Sequence, residues 1–284
     1  LAATTTRVTV DEAFACCERL ARSHYENFSV LSWLVPRELR PHVASVYAFC
    51  RQTDDLGDEA QGDRLALLDN WESDLRRCYG GQPDHPILIA LQQTIQRFHI
   101  PPEPFLRLIE ANRMDQRQQL YPTYADLLNY CEYSANPVGH MYLYLAGMAT
   151  PDRLRLADYT CTALQLTNFW QDIRVDAAKG RIYLPLEDLE RFGYCRDDLA
   201  GGKVNAAFIS LMQFEIARTR DLFAAGLALL DTLHGRLRRA VMLFSLGGMA
   251  ILDAIEAVRY DVFARRPSLS SWQKIQLMVK AVRS

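Results

Sequence analysis

Residues 161–176 read CTALQLTNFWQDIRVD, and the spacing of polar and apolar residues in that stretch decides the fold. Gln165, Asn168, Asp172 and Asp176 recur at steps of three and four, so on a helix all four share one face. Leu164, Leu166, Phe169, Trp170 and Ile173 occupy the other sides. A helix apolar on most sides lies largely inside its protein. Two carboxylates and an amide on such a helix are costly without partners of opposite charge. Salt bridges would supply them; metal ions would supply them better and would explain the i, i+4 register.

Upstream, residues 47–59 read YAFCRQTDDLGDE. Tyr47, Arg51, Asp54 and Asp58 follow steps of four, three and four. Asp54 and Asp58 are separated by about 40° around a helix axis and about 6 Å along it. Carboxylates at that spacing can share a magnesium site completed by phosphate oxygens and water. A solvated acidic patch would fit this stretch alone; the pair of acidic faces is what points to chemistry. Two such faces can clamp Mg²⁺ around one diphosphate and neutralise charge as a carbon–oxygen bond breaks. Directly after the second face comes KGRIYLP, 179–185, where Gly180 is placed to end the helix. Arg181 and Tyr183 are then candidates to close over a phosphate, with a simple surface turn as the alternative. Carbocation chemistry also needs a dry pocket with aromatic faces. Phe28, Trp33, Phe49, Tyr130, Tyr133, Phe169 and Trp170 are candidates for it, each with core packing as its competing role.

The same period of three to four runs through most of the chain, as in Val43, Val46, Tyr47 and Cys50. Breaks fall at Pro36, 80–86, 99–104, 121–123 and 150–151, and a longer irregular stretch is expected from about 176 to 203. The expectation is all-α: a single-domain helical bundle over 1–284 with a central cavity. Net charge is −2 over 284 residues, which points away from nucleic acid. The seven cysteines lack any C-x-x-C pair and read as reduced core residues of a cytoplasmic protein. The longest apolar run, Ala240 to Leu252, holds Gly247 and Gly248 and is shorter than the ~20 residues that span a bilayer. Peripheral contact with the inner face of the cell membrane is the most membrane association expected.

At these residues the sequence resembles the squalene/phytoene synthase family, from about His24 to Arg266. The resemblance implies an all-α isoprenoid synthase fold and head-to-head joining of two prenyl diphosphates through a cyclopropylcarbinyl intermediate. It implies metal ligands at Asp54, Asp58, Asn168, Asp172 and Asp176, and substrate contacts at His24, Tyr47, Arg51 and Gln165. It also matches GRIYLP to a flap carrying Arg181 and Tyr183.

Departures from the family pattern are equally informative. Glu26-Asn27-Phe28 lacks a usual basic residue, and Ala135-Asn136-Pro137-Val138-Gly139 replaces Ala-Gly-Thr-Val-Gly. Gln171 replaces an Arg, and Gly248 stands where a diphosphate-contacting Tyr is usual. This pattern is similar to the hydroxysqualene synthase branch (the bacterial HpnC type) of hopanoid biosynthesis. That branch converts presqualene diphosphate and water to hydroxysqualene and diphosphate with Mg²⁺. No NADPH is expected, and no G-x-G-x-x-G element is present. Asn136 is then the candidate to hold the attacking water. The expected partner contact is a hand-over from the enzyme that makes presqualene diphosphate. Alternatives are a condensing synthase making squalene, dehydrosqualene or phytoene, and a silent assembly subunit. Retention of all four motif aspartates speaks against the last.

Overall fold

The structure, a computed structural model, describes residues 8–23 and 34–283. It is all-α as expected: among the described residues extended pairing is limited to one isolated bridge, Leu120 with Ile182. The chain forms two compact helical units, residues to 116 with 140–149, and 117–139 with 150 onward.

The first unit contains α1 (Val10–Ser23), α2 (Arg40–Asp58), α3 (Arg64–Gly80), α4 (Pro86–Phe98) and most of α5 (Glu103–Arg117). Helix starts follow side-chain chemistry. Asp63 caps α3 by accepting from the Ala66 N–H at 3.1 Å, and Pro86 opens α4, where a missing N–H costs nothing. The chain leaves α4 through His99, in the left-handed region at φ 52°. Phe49 of α2 stacks on Trp71 and meets Phe105 edge-on in the core. Full burial of such a side chain stabilises by about 1.5–3 kcal/mol. Phe49 is therefore a core residue, not a pocket wall.

The second unit contains α6 (Tyr124–Ser134), α8 (Pro151–Ala178), α9 (Leu186–Phe192), α10 (Arg196–Ala200), α11 (Ala206–Gly226), α12 (Gly235–Ala257) and α13 (Ser271–Arg283). Helix α7 (Asn136–Leu145) passes from this unit to the first at Gly139–His140. Thr123 and Asp126 form a reciprocal capping box on α6, and Thr150 caps α8 just before Pro151. Helices α8 and α11 pack together, and the Trp170 indole N–H donates to Thr219 Oγ1 at 2.9 Å. Trp170 is likewise core.

Three sequence expectations need correction. The stretch after 176 is not irregular throughout, because α9 and α10 form within it, each followed by a glycine. The apolar run that holds Gly247 and Gly248 is part of a helix longer than the run itself. Both glycines lie inside the 23-residue α12, which among the described residues is the helix long and apolar enough to cross a membrane, although Val241, Leu246, Leu252 and Ile255 are buried in its unit. All seven cysteines are free, but Cys195 is exposed, its sulfur accepting from the Asp198 N–H at the start of α10.

Candidate functional site

Asp54 and Asp58 share one face of α2, as their spacing requires. Asp54 is reached by solvent, yet crowding by protein atoms pushes its carboxyl pKa up to about 6. Desolvation is the main cause; the Asn112 amide opposes it and the Asp58 charge adds to it. Asn112 Nδ2 donates to Asp54 Oδ1 at 3.3 Å, and Gln116 Nε2 donates to the Gly57 carbonyl at 2.9 Å. Gly57 permits this approach of α5, since a Cβ there would overlap the Asn112 amide. Asn112 is a site residue that sequence reasoning missed. Its only signal was an amide pair, Asn112 and Gln116, one turn apart on α5.

Arg51 pairs with Asp55 and Glu59, at 2.6 and 2.9 Å, and its charge also acts on the Asp54 carboxyl. Tyr47 packs half-buried against the unit's core. His24, Phe28 and Trp33 lie outside the described residues.

In the second unit the polar face of α8 is as read: Asn168 is exposed and Gln165, Asp172 and Asp176 are half-buried, while Leu166, Phe169, Trp170 and Ile173 are buried. Asp172 is held by a forked ion pair with Arg266, whose Nη2 donates to Oδ2 at 2.8 Å and whose Nε donates to Oδ1. The neighbouring chain is stitched to the same helix. Gln171 Nε2 donates to the Pro267 carbonyl, and Arg174 Nη1 donates to the Phe263 carbonyl at 2.8 Å. The sequence reading had no counterpart for Arg266 as an Asp172 partner, because 94 residues separate the two.

The segment after α8 is ordered by backbone geometry. Gly180, at φ 78°, takes the left-handed turn, and the Arg181 and Lys179 N–H groups both return to the Asp176 carbonyl at 2.9 Å. The Ile182 N–H then donates to the Gln119 carbonyl at 2.9 Å. Arg181 and Asp176 line one small cavity of about 10 Å³, room for a single water, together with Phe169 and Tyr183. Tyr183 is buried: it stacks on Phe169 at 3.8 Å between ring centres, with Tyr121 and Tyr130 beside it. Its ring is part of an aromatic cluster.

Asn136 is also buried, and its Oδ1 accepts from Thr162 Oγ1 at 3.0 Å. The break at Ala135 between α6 and α7 aims it at α8, and Gly139 lets the chains approach, because a Cβ there would overlap Cys161 Sγ. At Gly248 a Cβ would overlap Phe223 Cζ and come within 2.9 Å of Leu164 Cδ2. That position is filled by neighbours, not left open.

Among the described residues no group of three or more acidic, His or Cys side chains converges to hold a metal by itself. The donors present are carboxylate and amide oxygens, the set a hard cation takes, and Mg²⁺ usually binds through one or two carboxylates plus substrate phosphate. An Asp54 carboxyl crowded by protein and repelled by Asp58 fits a cation in that role.

The squalene/phytoene synthase family model matches residues 21–273. The chain belongs to the squalene/phytoene synthase family. It is 33% identical to a phytoene synthase of Arthrospira platensis, over 96% of this chain and 93% of that one. A crystal structure described as squalene synthase HpnC from Alicyclobacillus acidocaldarius is 50% identical, with TM-score 0.86, covering 89% of this chain and 97% of that one. A dehydrosqualene synthase solved in complex with a ligand is 27% identical, with TM-score 0.87, covering 96% of both. Squalene/phytoene synthases are enzymes of isoprenoid biosynthesis, and the all-α architecture seen here is theirs.

Proposed function

We propose that this squalene/phytoene synthase converts presqualene diphosphate and water to hydroxysqualene and diphosphate. The observation that carries this reading is the state of the positions that depart from the condensing pattern. Gly248 has no room for a Tyr because Phe223 and Leu164 occupy it, and Gln171 spends its amide on the Pro267 carbonyl. Both features support the reading that contacts to a second diphosphate are lost, while all four motif aspartates are kept. The structure 50% identical to this chain is described as a squalene synthase, HpnC, which supports the C30 substrate class and not by itself the water-capture step.

Asp54, Asp58, Asn168, Asp172 and Asp176 would hold Mg²⁺. When bound, Mg²⁺ supplies positive charge against the leaving diphosphate. Arg51, Tyr47, Gln165, Arg181 and His24 are the further contacts proposed for the anion, while Arg266 is engaged with the Asp172 carboxylate. Tyr183, with its ring stacked on Phe169 beside Tyr130, is proposed to contribute an aromatic wall next to the phosphate it was read to close over. The carbon–oxygen bond of the substrate breaks and diphosphate leaves with the electron pair. The cyclopropylcarbinyl cation opens to an allylic cation, and water adds with loss of a proton to give the alcohol. Water, not hydride, quenches the charge, so no reductant enters the balance. Asn136 is proposed to direct that water through its fixed place against Thr162.

Turnover in H₂¹⁸O tests the capture step. One ¹⁸O in the alcohol is expected; an alcohol retaining only ¹⁶O would mean that its oxygen comes from the diphosphate. A second reading, a condensing synthase acting on two prenyl diphosphates, is favoured by the names of the phytoene and dehydrosqualene synthases to which the chain is similar. Substrate choice separates the two.

A further inference from the structure

Helix α13, SWQKIQLMVKAVR, turns one side inward: Leu277, Met278 and Ala281 are buried or half-buried, and the helix packs on α12. Its opposite side is apolar and open. Trp272 is 67% exposed, Ile275 46%, Val279 44% and Val282 41%. At 100° per residue these four fall within an arc of about 80°, a continuous stripe along the 13-residue helix. Trp272, Ile275 and Val279 line an open surface depression, and Gln276, Lys280 and Arg283 form its polar edge. The helix carries Lys274, Lys280 and Arg283 and no acidic residue.

We propose that this stripe inserts into the headgroup region of a bilayer containing anionic phospholipid. An interfacial helix has this composition, with Trp and aliphatic side chains on one face and Lys or Arg at its border. Cations flanking an apolar stripe match a negatively charged lipid surface, to which each basic residue adds attraction. A second copy of the chain is the weaker occupant. Stable dimers bury about 800 Å² per partner over roughly 20–30 residues, and a four-residue stripe offers far less. The inference goes beyond the proposed reaction and does not need its product; a greasy substrate only gives the contact a use.

The test is co-sedimentation of the full chain with large unilamellar vesicles of phosphatidylethanolamine with 30% phosphatidylglycerol, beside vesicles of phosphatidylcholine alone. Binding to the anionic vesicles is expected, weakened by salt, with a blue shift in tryptophan emission. Trp272→Phe should keep binding and lose most of that shift. Ile275→Ser with Val279→Ser should lower the vesicle partition coefficient about tenfold or more, as expected for lost apolar insertion. Lys280→Gln with Arg283→Gln should remove the preference for anionic lipid. Circular dichroism and turnover in detergent micelles, read in parallel, should not change. Undiminished vesicle binding by the Ser variant overturns the proposal, as does absence of binding by the native chain. A concentration-dependent dimer that the Ser variant abolishes would assign the stripe to a second copy and equally overturn it.

Discussion

Phe223 occupies the space that any side chain at position 248 would need. The aromatic ring of α11 lies against the bare backbone of α12, and Leu164 of α8 closes the other side. The glycine is thus a packing residue that joins three helices.

Gly248→Ala should therefore destabilise through overpacking, by about 1–3 kcal/mol. Phe223→Ala alone should cost about 3–5 kcal/mol through the cavity it leaves. The double variant should be more stable than the sum of the two losses implies, because one change makes room for the other. Denaturant melts of the four proteins in the cycle check this; strict additivity would show that the ring and the glycine do not share the space.

Asn112 supports Asp54 by a single amide contact. Partners that orient a metal ligand typically matter by 10–100-fold in affinity or activity. Asn112→Ala should lower Mg²⁺-dependent turnover by about that range while circular dichroism stays native. Wild-type turnover in the variant would place Asp54 outside the metal site.

If Asp172 holds Mg²⁺ as proposed, Arg266 competes with the ion for its carboxylate. Arg266→Gln should lower the Mg²⁺ concentration needed to raise the melting temperature in the presence of inorganic diphosphate, since a ligand that binds only the native state stabilises it. Asp172→Ala should abolish that rise and turnover together. An unchanged Mg²⁺ requirement in Arg266→Gln would remove the competition.

Glu215 lies fully buried beside Asp188 and Arg218. Its pKa is pushed up to about 8, by desolvation first, against the pull of Arg218 and with Asp188 adding to the rise. Between its ordinary value of 4.5 and about 8 the folded chain holds a proton that the unfolded chain has lost. Stability from this group is complete below about pH 4.5 and falls as pH rises toward 8. Glu215→Gln should remove that part of the slope in melts run from pH 5 to 8. A slope identical to that of the native chain would mean that Glu215 is ionised in the fold.

The all-α class and both acidic faces were legible because they rest on local period: residues three and four apart share a helix face whatever surrounds them. Helix ends at Pro86, Thr123, Thr150 and Gly180 were legible for the same reason, as caps and breakers act within one turn. What escaped depends on distant partners. Arg266 on Asp172, Asn112 on Asp54 and Phe223 on Gly248 join positions 94, 58 and 25 residues apart. Tyr183 was read as a candidate to close over a phosphate because its segment follows a motif; that its ring stacks with Phe169, Tyr121 and Tyr130 was not legible, since those partners are distant in sequence. Helix α9 escaped because seven residues are too few to show a period.

The most direct measurement is product analysis by mass spectrometry after incubation with Mg²⁺, without NADPH, on presqualene diphosphate and on farnesyl diphosphate separately. Hydroxysqualene from presqualene diphosphate, and no product from farnesyl diphosphate, is the expected result. Conversion of farnesyl diphosphate to presqualene diphosphate or to a C30 hydrocarbon would contradict it and make this family member a condensing synthase.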